Sequence, residues 1–93
     1  MTVADTMREK LIAAFAPEAL EVIDESAKHE GHSGARSGGE THFHVRIVSK
    51  AFEGASRVER QRRVYAALAD EIKSRVHALS LTTLTPAEVW HEH

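Results

Sequence analysis

From Thr41 to Ser49 runs the clearest alternation in the chain: Phe43, Val45 and Ile47 face one way, His42, His44 and Arg46 the other. A period of two marks a strand with one buried face. The chain beyond this strand turns helical. Ser56 precedes Glu59 by three residues, the form of a capping box, and behind it Val58, Gln61, Tyr65, Leu68, Ile72 and Val76 recur at three- and four-residue steps. That stripe predicts one long helix lying on a sheet, with Arg57, Arg60, Arg62, Arg63, Asp70, Lys73 and Arg75 largely in water. A second alternation, Leu79, Leu81 and Thr83 against Ser80, Thr82 and Leu84, predicts another strand. A crossover of a dozen or more residues gives parallel pairing when the strands it joins are neighbours.

Upstream, Val3, Met7, Leu11 and Phe15 fall at spacings of four and predict an amphipathic helix that Pro17 stops. The run from Ala19 to Glu25, with Leu20 and Val22 opposite Glu21, predicts a strand. From Lys28 to Gly39 four glycines and two serines with almost no apolar residue predict a flexible loop. Ala51 and Phe52 add a turn of helix before Gly54, and Thr85, Pro86 and Glu88 open a short final helix that should bury Val89 or Trp90. The order is helix, strand, strand, short helix, long helix, strand, helix. It implies an α+β fold, α-β-β-α-α-β-α, whose three-stranded mixed sheet is covered by helices. Ninety-three residues make one domain, spanning 1–93.

Twelve basic against fourteen acidic residues leave a net charge of −2, so the whole molecule has no field that draws it to nucleic acid or anionic membranes. The chain has no cysteine, which excludes disulfides, a thiol nucleophile and thiolate metal ligands of its own. Asp5, Arg8, Glu9 and Lys10 leave no apolar run for a signal peptide, and nothing later approaches a membrane span, so the cytoplasm is the expected location. No nucleophile elbow, phosphate loop or carboxylate pair stands out, and the expected role is not enzymatic.

In order along the chain stand Asp24-Glu25-Ser26, Thr41-His42-Phe43, Ile47-Val48-Ser49, Phe52-Glu53-Gly54, Arg60-Gln61-Arg62, Val76-His77-Ala78-Leu79 and Thr85-Pro86. Together they resemble the BolA family, over nearly the whole chain. The resemblance implies a class II KH-like fold, in agreement with the element order above. It further implies a partner, a monothiol glutaredoxin, with which such proteins share a [2Fe-2S] cluster, and a link to transcriptional regulation through DNA. By resemblance His77 is the first ligand, and a loop histidine the second. Counting forward from Asp24-Glu25-Ser26 gives His29; counting back from Thr41-His42-Phe43 gives His32. The protein is expected to be a monomer alone and a heterodimer with its partner.

Imidazole serves cluster iron well. A cysteine-free chain offers only nitrogen or carboxylate ligands, so thiolates must come from the partner and glutathione. The competing reading of His77 is a cation at a helix end, and that of His29 and His32 is solvated loop residues. His42 with His44, and His91 with His93, are weaker pairs, each without a third ligand. Arg57, Arg60, Arg62 and Arg63, against Glu59, form the one phosphate-binding candidate, with solvated helix surface as its alternative. Arg57 stands where a KH Gly-x-x-Gly loop has its second glycine, which argues against RNA clamping of that kind.

Overall fold

A computed structural model describes residues 2–25 and 42–90. The stretch expected to be a loop from Lys28 to Gly39, with His29 and His32, lies outside the described residues, as do His91 and His93. Helix α1 (Val3–Phe15) opens on a capping box in which Thr2 Oγ1 accepts the Asp5 N–H at 3.0 Å and Asp5 Oδ2 accepts the Thr2 N–H at 3.1 Å. It ends at Ala16, which turns left-handed (φ 43°) one residue before Pro17. Met7, Leu11 and Phe15 form its buried stripe, as their four-residue spacing requires.

Strands β1 (Ala19–Asp24), β2 (His42–Val48) and β3 (Ala78–Leu84) form one sheet in that order, with β2 central. β1 runs antiparallel to β2, with Val22 opposite Val45; β3 runs parallel to it, with Leu81 opposite Val45. The expected mixed sheet is therefore present. Phe43, Val45 and Ile47 are at most 1% exposed, and they join Met7, Leu11, Phe52, Val64 and Leu68 in one core. Each such side chain contributes roughly 1.5–3 kcal/mol through removal from water.

After β2, Ser49 is fully buried, donating from Oγ to Phe15 O at 2.7 Å and accepting the Ala51 N–H at 3.0 Å. It starts a 3₁₀ turn, Lys50–Phe52, that drops Phe52 into the core 5.1 Å from the Phe15 ring. Gly54 reverses the chain at φ 79°. Helices α2 (Arg57–Ala67) and α3 (Ala69–Ser74) come next, and α4 (Pro86–Trp90) closes the described chain. Thr85 and Glu88 form the expected box at the start of α4, with Glu88 N–H on Thr85 Oγ1 at 3.2 Å and Thr85 N–H on Glu88 Oε1 at 2.8 Å.

Three sequence expectations are corrected. The single long helix is two, because the backbone leaves helical geometry at Leu68 (φ −106°, ψ 18°), whose side chain stays wholly in the core. The buried face of α2 is Arg60, Val64, Ala67 and Leu68, whereas Val58 and Tyr65 are 57% and 41% exposed. Arg60, expected in water, is inside. Trp90 is 81% exposed, and of the pair only Val89 is partly covered.

Candidate functional site

The turn that displays His77 is built by its neighbours. Glu71 O, in the last turn of α3, accepts the N–H groups of both Arg75 and Val76 at 2.8 Å, which ends the helix and swings the chain toward β3. Val76 is 4% exposed, a plug in the core, so the next residue must point outward, and His77 is exposed. The turn is braced from both sides. Lys10 Nζ on α1 donates to the two Glu71 oxygens at 3.0 and 2.7 Å, with Asp70 at 3.7 Å, and the Glu71 bonds hold the ammonium's pKa above its ordinary value. Tyr65 Oη on α2 donates to Leu79 O at 3.2 Å, fixing the first residues of β3.

Sheet register places this turn at the same sheet end as Glu25 and His42, the described residues that flank positions 26–41. His42 stands opposite Ala78 in the parallel pair, so His77 immediately precedes β3 at the end of the sheet where β2 begins. The Glu25 N–H donates to His42 O at 2.7 Å. Both flanks of the 26–41 segment thus meet at the same sheet end as His77. The positions of His29 and His32 themselves lie outside the described residues.

The strand histidines are engaged differently. On the sheet face turned away from the core, His44 Nδ1 lies 2.7 Å from Ser80 Oγ and Nε2 3.3 Å from Thr82 Oγ1, so both ring nitrogens have hydroxyl partners on β3. His44 therefore has no free nitrogen to share with His42 in a metal site. Among the described residues no group of three or more His, Asp or Glu side chains is arranged to hold a metal ion. Of the described histidines, His77 is the one that is exposed, while His42 and His44 are half-buried, so the described residues offer one open imidazole. One imidazole does not make up a metal's ligand set, so the described residues alone do not hold a metal group.

The arginines separate into two kinds. Arg57 and Arg62 are exposed, and Arg63, also exposed, donates to Ala51 O at 3.0 Å and to Glu59 Oε1 at 3.3 Å. Arg60 is 6% exposed and spends its guanidinium internally: Nε to Ala55 O at 3.0 Å, Nη1 to Thr83 O at 3.1 Å and Glu88 Oε1 at 2.6 Å, and Nη2 to Glu88 Oε2 at 3.1 Å. Its place among surface phosphate ligands is corrected accordingly. The planar fork suits this bidentate task, and it draws the Glu88 pKa from 4.5 down to about 2, with the Thr85 N–H assisting. Sequence spacing shows Glu88 as a cap; its second duty, 28 residues from its partner, has no local signal.

Comparison with known proteins gives consistent matches. The family model described as "BolA-like protein" matches residues 11–88. SufE-like protein 1, chloroplastic/mitochondrial, of Arabidopsis thaliana is 52% identical over 87 residues, covering 89% of this chain, which spans only 24% of that protein. The DNA-binding transcriptional regulator BolA of Escherichia coli is 43% identical over 88 residues, covering 95% of this chain and 80% of the relative. The solved structure of BolA1 from Arabidopsis thaliana superposes with a TM-score of 0.84 at 44% identity, covering 95% of this chain and 96% of that one. Among the described residues no helix is long and apolar enough to cross a membrane.

Proposed function

The chain belongs to the BolA-like family, and from that premise we propose that it is an adaptor that docks on a monothiol glutaredoxin and completes the ligand set of a [2Fe-2S] cluster in iron–sulfur trafficking or iron sensing. His77 supplies one imidazole, and His29 or His32 the second. The observation that carries this reading is the exposure of His77 at the sheet end from which the histidine-bearing segment departs. A chain without cysteine complements a partner that brings thiolates. Imidazole in place of thiolate reduces the negative charge on the cluster and raises its potential. The role of this chain's own residues is to present nitrogen: Val76 and the Glu71 carbonyl fix the turn, and Lys10 ties that turn to α1.

The test is anaerobic reconstitution of the cluster on a monothiol glutaredoxin with and without this protein, read by visible circular dichroism. The expected result is a changed spectrum on addition of the wild-type chain and none with His77→Ala. A spectrum that stays the same with wild type, or changes equally with His77→Ala, defeats the proposal.

A second reading, duplex DNA binding, draws on the exposure of Arg57, Arg62 and Arg63 at the start of α2 and on the name of the Escherichia coli relative. Arg60 takes no direct part in it, since Glu88 neutralises its charge inside the protein. Affinity should fall steeply with salt, and Arg62→Ala should lower both the affinity and the salt slope by about one phosphate contact. Salt-independent binding removes this reading.

A further inference from the structure

Among the described residues β1 is an edge strand, and its outer side has a definite chemistry. The Glu25 N–H bond to His42 O sets the antiparallel alternation: residues 25, 23 and 21 exchange bonds with β2, while Leu20, Val22 and Asp24 direct their backbone groups away from the sheet. The Arg8 guanidinium donates to Val22 O at 3.4 Å, in keeping with that outward direction, and the Leu20 and Val22 N–H groups are left unpaired among the described residues. The other edge is guarded: Tyr65 and Arg60 cap the outward carbonyls of Leu79 and Thr83 on β3.

Beside the β1 edge, α1 offers an open cavity of about 410 Å³ lined by Asp5, Arg8, Glu9 and Ile12. Arg8, which lines this cavity, also reaches Val22 O, so one side chain links the cavity to the outer side of β1. Ile12, which lines it, is 55% exposed, and Ile23 is 42% exposed on the opposite face of β1. Among the described residues here, Asp5 is paired with Arg8 and Glu21 stands across from Arg46, whereas Glu9 on α1 has no cation paired with it, which leaves the balance acidic.

We infer that the β1 edge is a β-augmentation site for an extended basic segment of a partner chain, whose Lys or Arg stem lies on Ile12 and whose ammonium or guanidinium meets Glu9. Main-chain bonds to Leu20 and Val22 give the affinity, and the alternating side chains give the selection. A second copy of this chain fits badly, because pairing β1 with itself brings two sets of Glu9, Glu21 and Asp24 together. The inference is independent of the cluster proposal, since the site uses neither His77 nor the residues that position it.

The test uses the peptide acetyl-Lys-Val-Lys-Val-Lys-Val-Lys-amide, titrated into ¹⁵N-labelled protein while its amide resonances are tracked. Saturable shifts concentrated at Leu20 and Val22 are expected. The variant Glu9→Lys/Glu21→Lys should bind about tenfold more weakly, and a peptide with proline for each valine, equal in charge but unable to add a strand, should fail. Equal binding of the proline peptide reduces the contact to charge alone and overturns the inference. So do three other results: shifts elsewhere on the surface, slow exchange of the Leu20 and Val22 amides in the free protein, which means its own chain already covers the edge, or concentration-dependent dimerisation through the same amides.

Discussion

Replacing Arg60 with alanine removes four hydrogen bonds at once and parts the start of α2 from both the end of β3 and α4. Removing one member of a fully buried ion pair costs about 3–5 kcal/mol. Here the Arg60 side chain is 7% exposed but the Glu88 side chain is 37% exposed, so the orphaned carboxylate recovers water and the loss shrinks to about 2–3 kcal/mol. The Thr83 carbonyl, left without its guanidinium donor, accounts for about 1 kcal/mol of that. Acid titration gives a second route to the same pair. The drop of the Glu88 pKa from 4.5 to about 2 converts, at roughly 1.4 kcal/mol per pH unit, to at most about 3.5 kcal/mol, and exposure of the carboxylate lowers it to about 1–2 kcal/mol. Because the folded pKa is depressed, this contribution is complete above pH 4.5 and is lost as the pH falls toward 2. Urea unfolding monitored by far-ultraviolet circular dichroism at pH 7 and at steps down to pH 2 measures both. A double-mutant cycle of Arg60→Ala with Glu88→Gln should return a coupling of about 1–2 kcal/mol, and Glu88→Gln should flatten the acid limb. If Arg60→Ala stays within about 0.5 kcal/mol of wild type, as a surface arginine would, the guanidinium does not hold these elements together.

Three other positions give separate readouts. Gly54→Ala meets open space but must hold φ at 79°, so its loss of about 1–2 kcal/mol in urea unfolding should be purely a backbone effect. Ser49→Ala strands the Phe15 carbonyl and the Ala51 N–H and should cost about 1–3 kcal/mol, with Ser49→Thr recovering little because the site is fully packed. Val76→Ala should lower stability by about 2 kcal/mol and also weaken cluster spectra, since the turn that aims His77 loses its plug; an unchanged spectrum separates folding from ligand placement.

How far the sequence discloses the fold depends on where the information lies. The β2 alternation is legible because every second side chain faces one core, and the capping box at Thr85 and Glu88 is legible because both partners sit within one turn. The break at Leu68 is not: each flanking residue has ordinary helical propensity, and Leu68 itself, fully buried, continues the apolar stripe while its backbone leaves helical geometry. Arg60 is invisible for a related reason. Charge predicts water, and only the return of α4 brings Glu88 to it. Val58 and Tyr65, apolar and well spaced, then suggest a stripe that the structure turns outward. For the site, spacing alone leaves His77 a helix-end cation, and resemblance to a family singles it out. Its nearness to the flanks of the 26–41 segment is a property of sheet register, which two strands separated by a pair of helices do not announce locally.

The most direct test of cluster ligation labels only this protein's histidines with ¹⁵N, assembles the cluster with an unlabelled monothiol glutaredoxin, reduces it and records pulsed electron paramagnetic resonance. Hyperfine couplings to ¹⁵N are expected with the wild-type chain, and His77→Ala should remove one of them. A spectrum without ¹⁵N coupling, or one that His77→Ala leaves intact, contradicts the account.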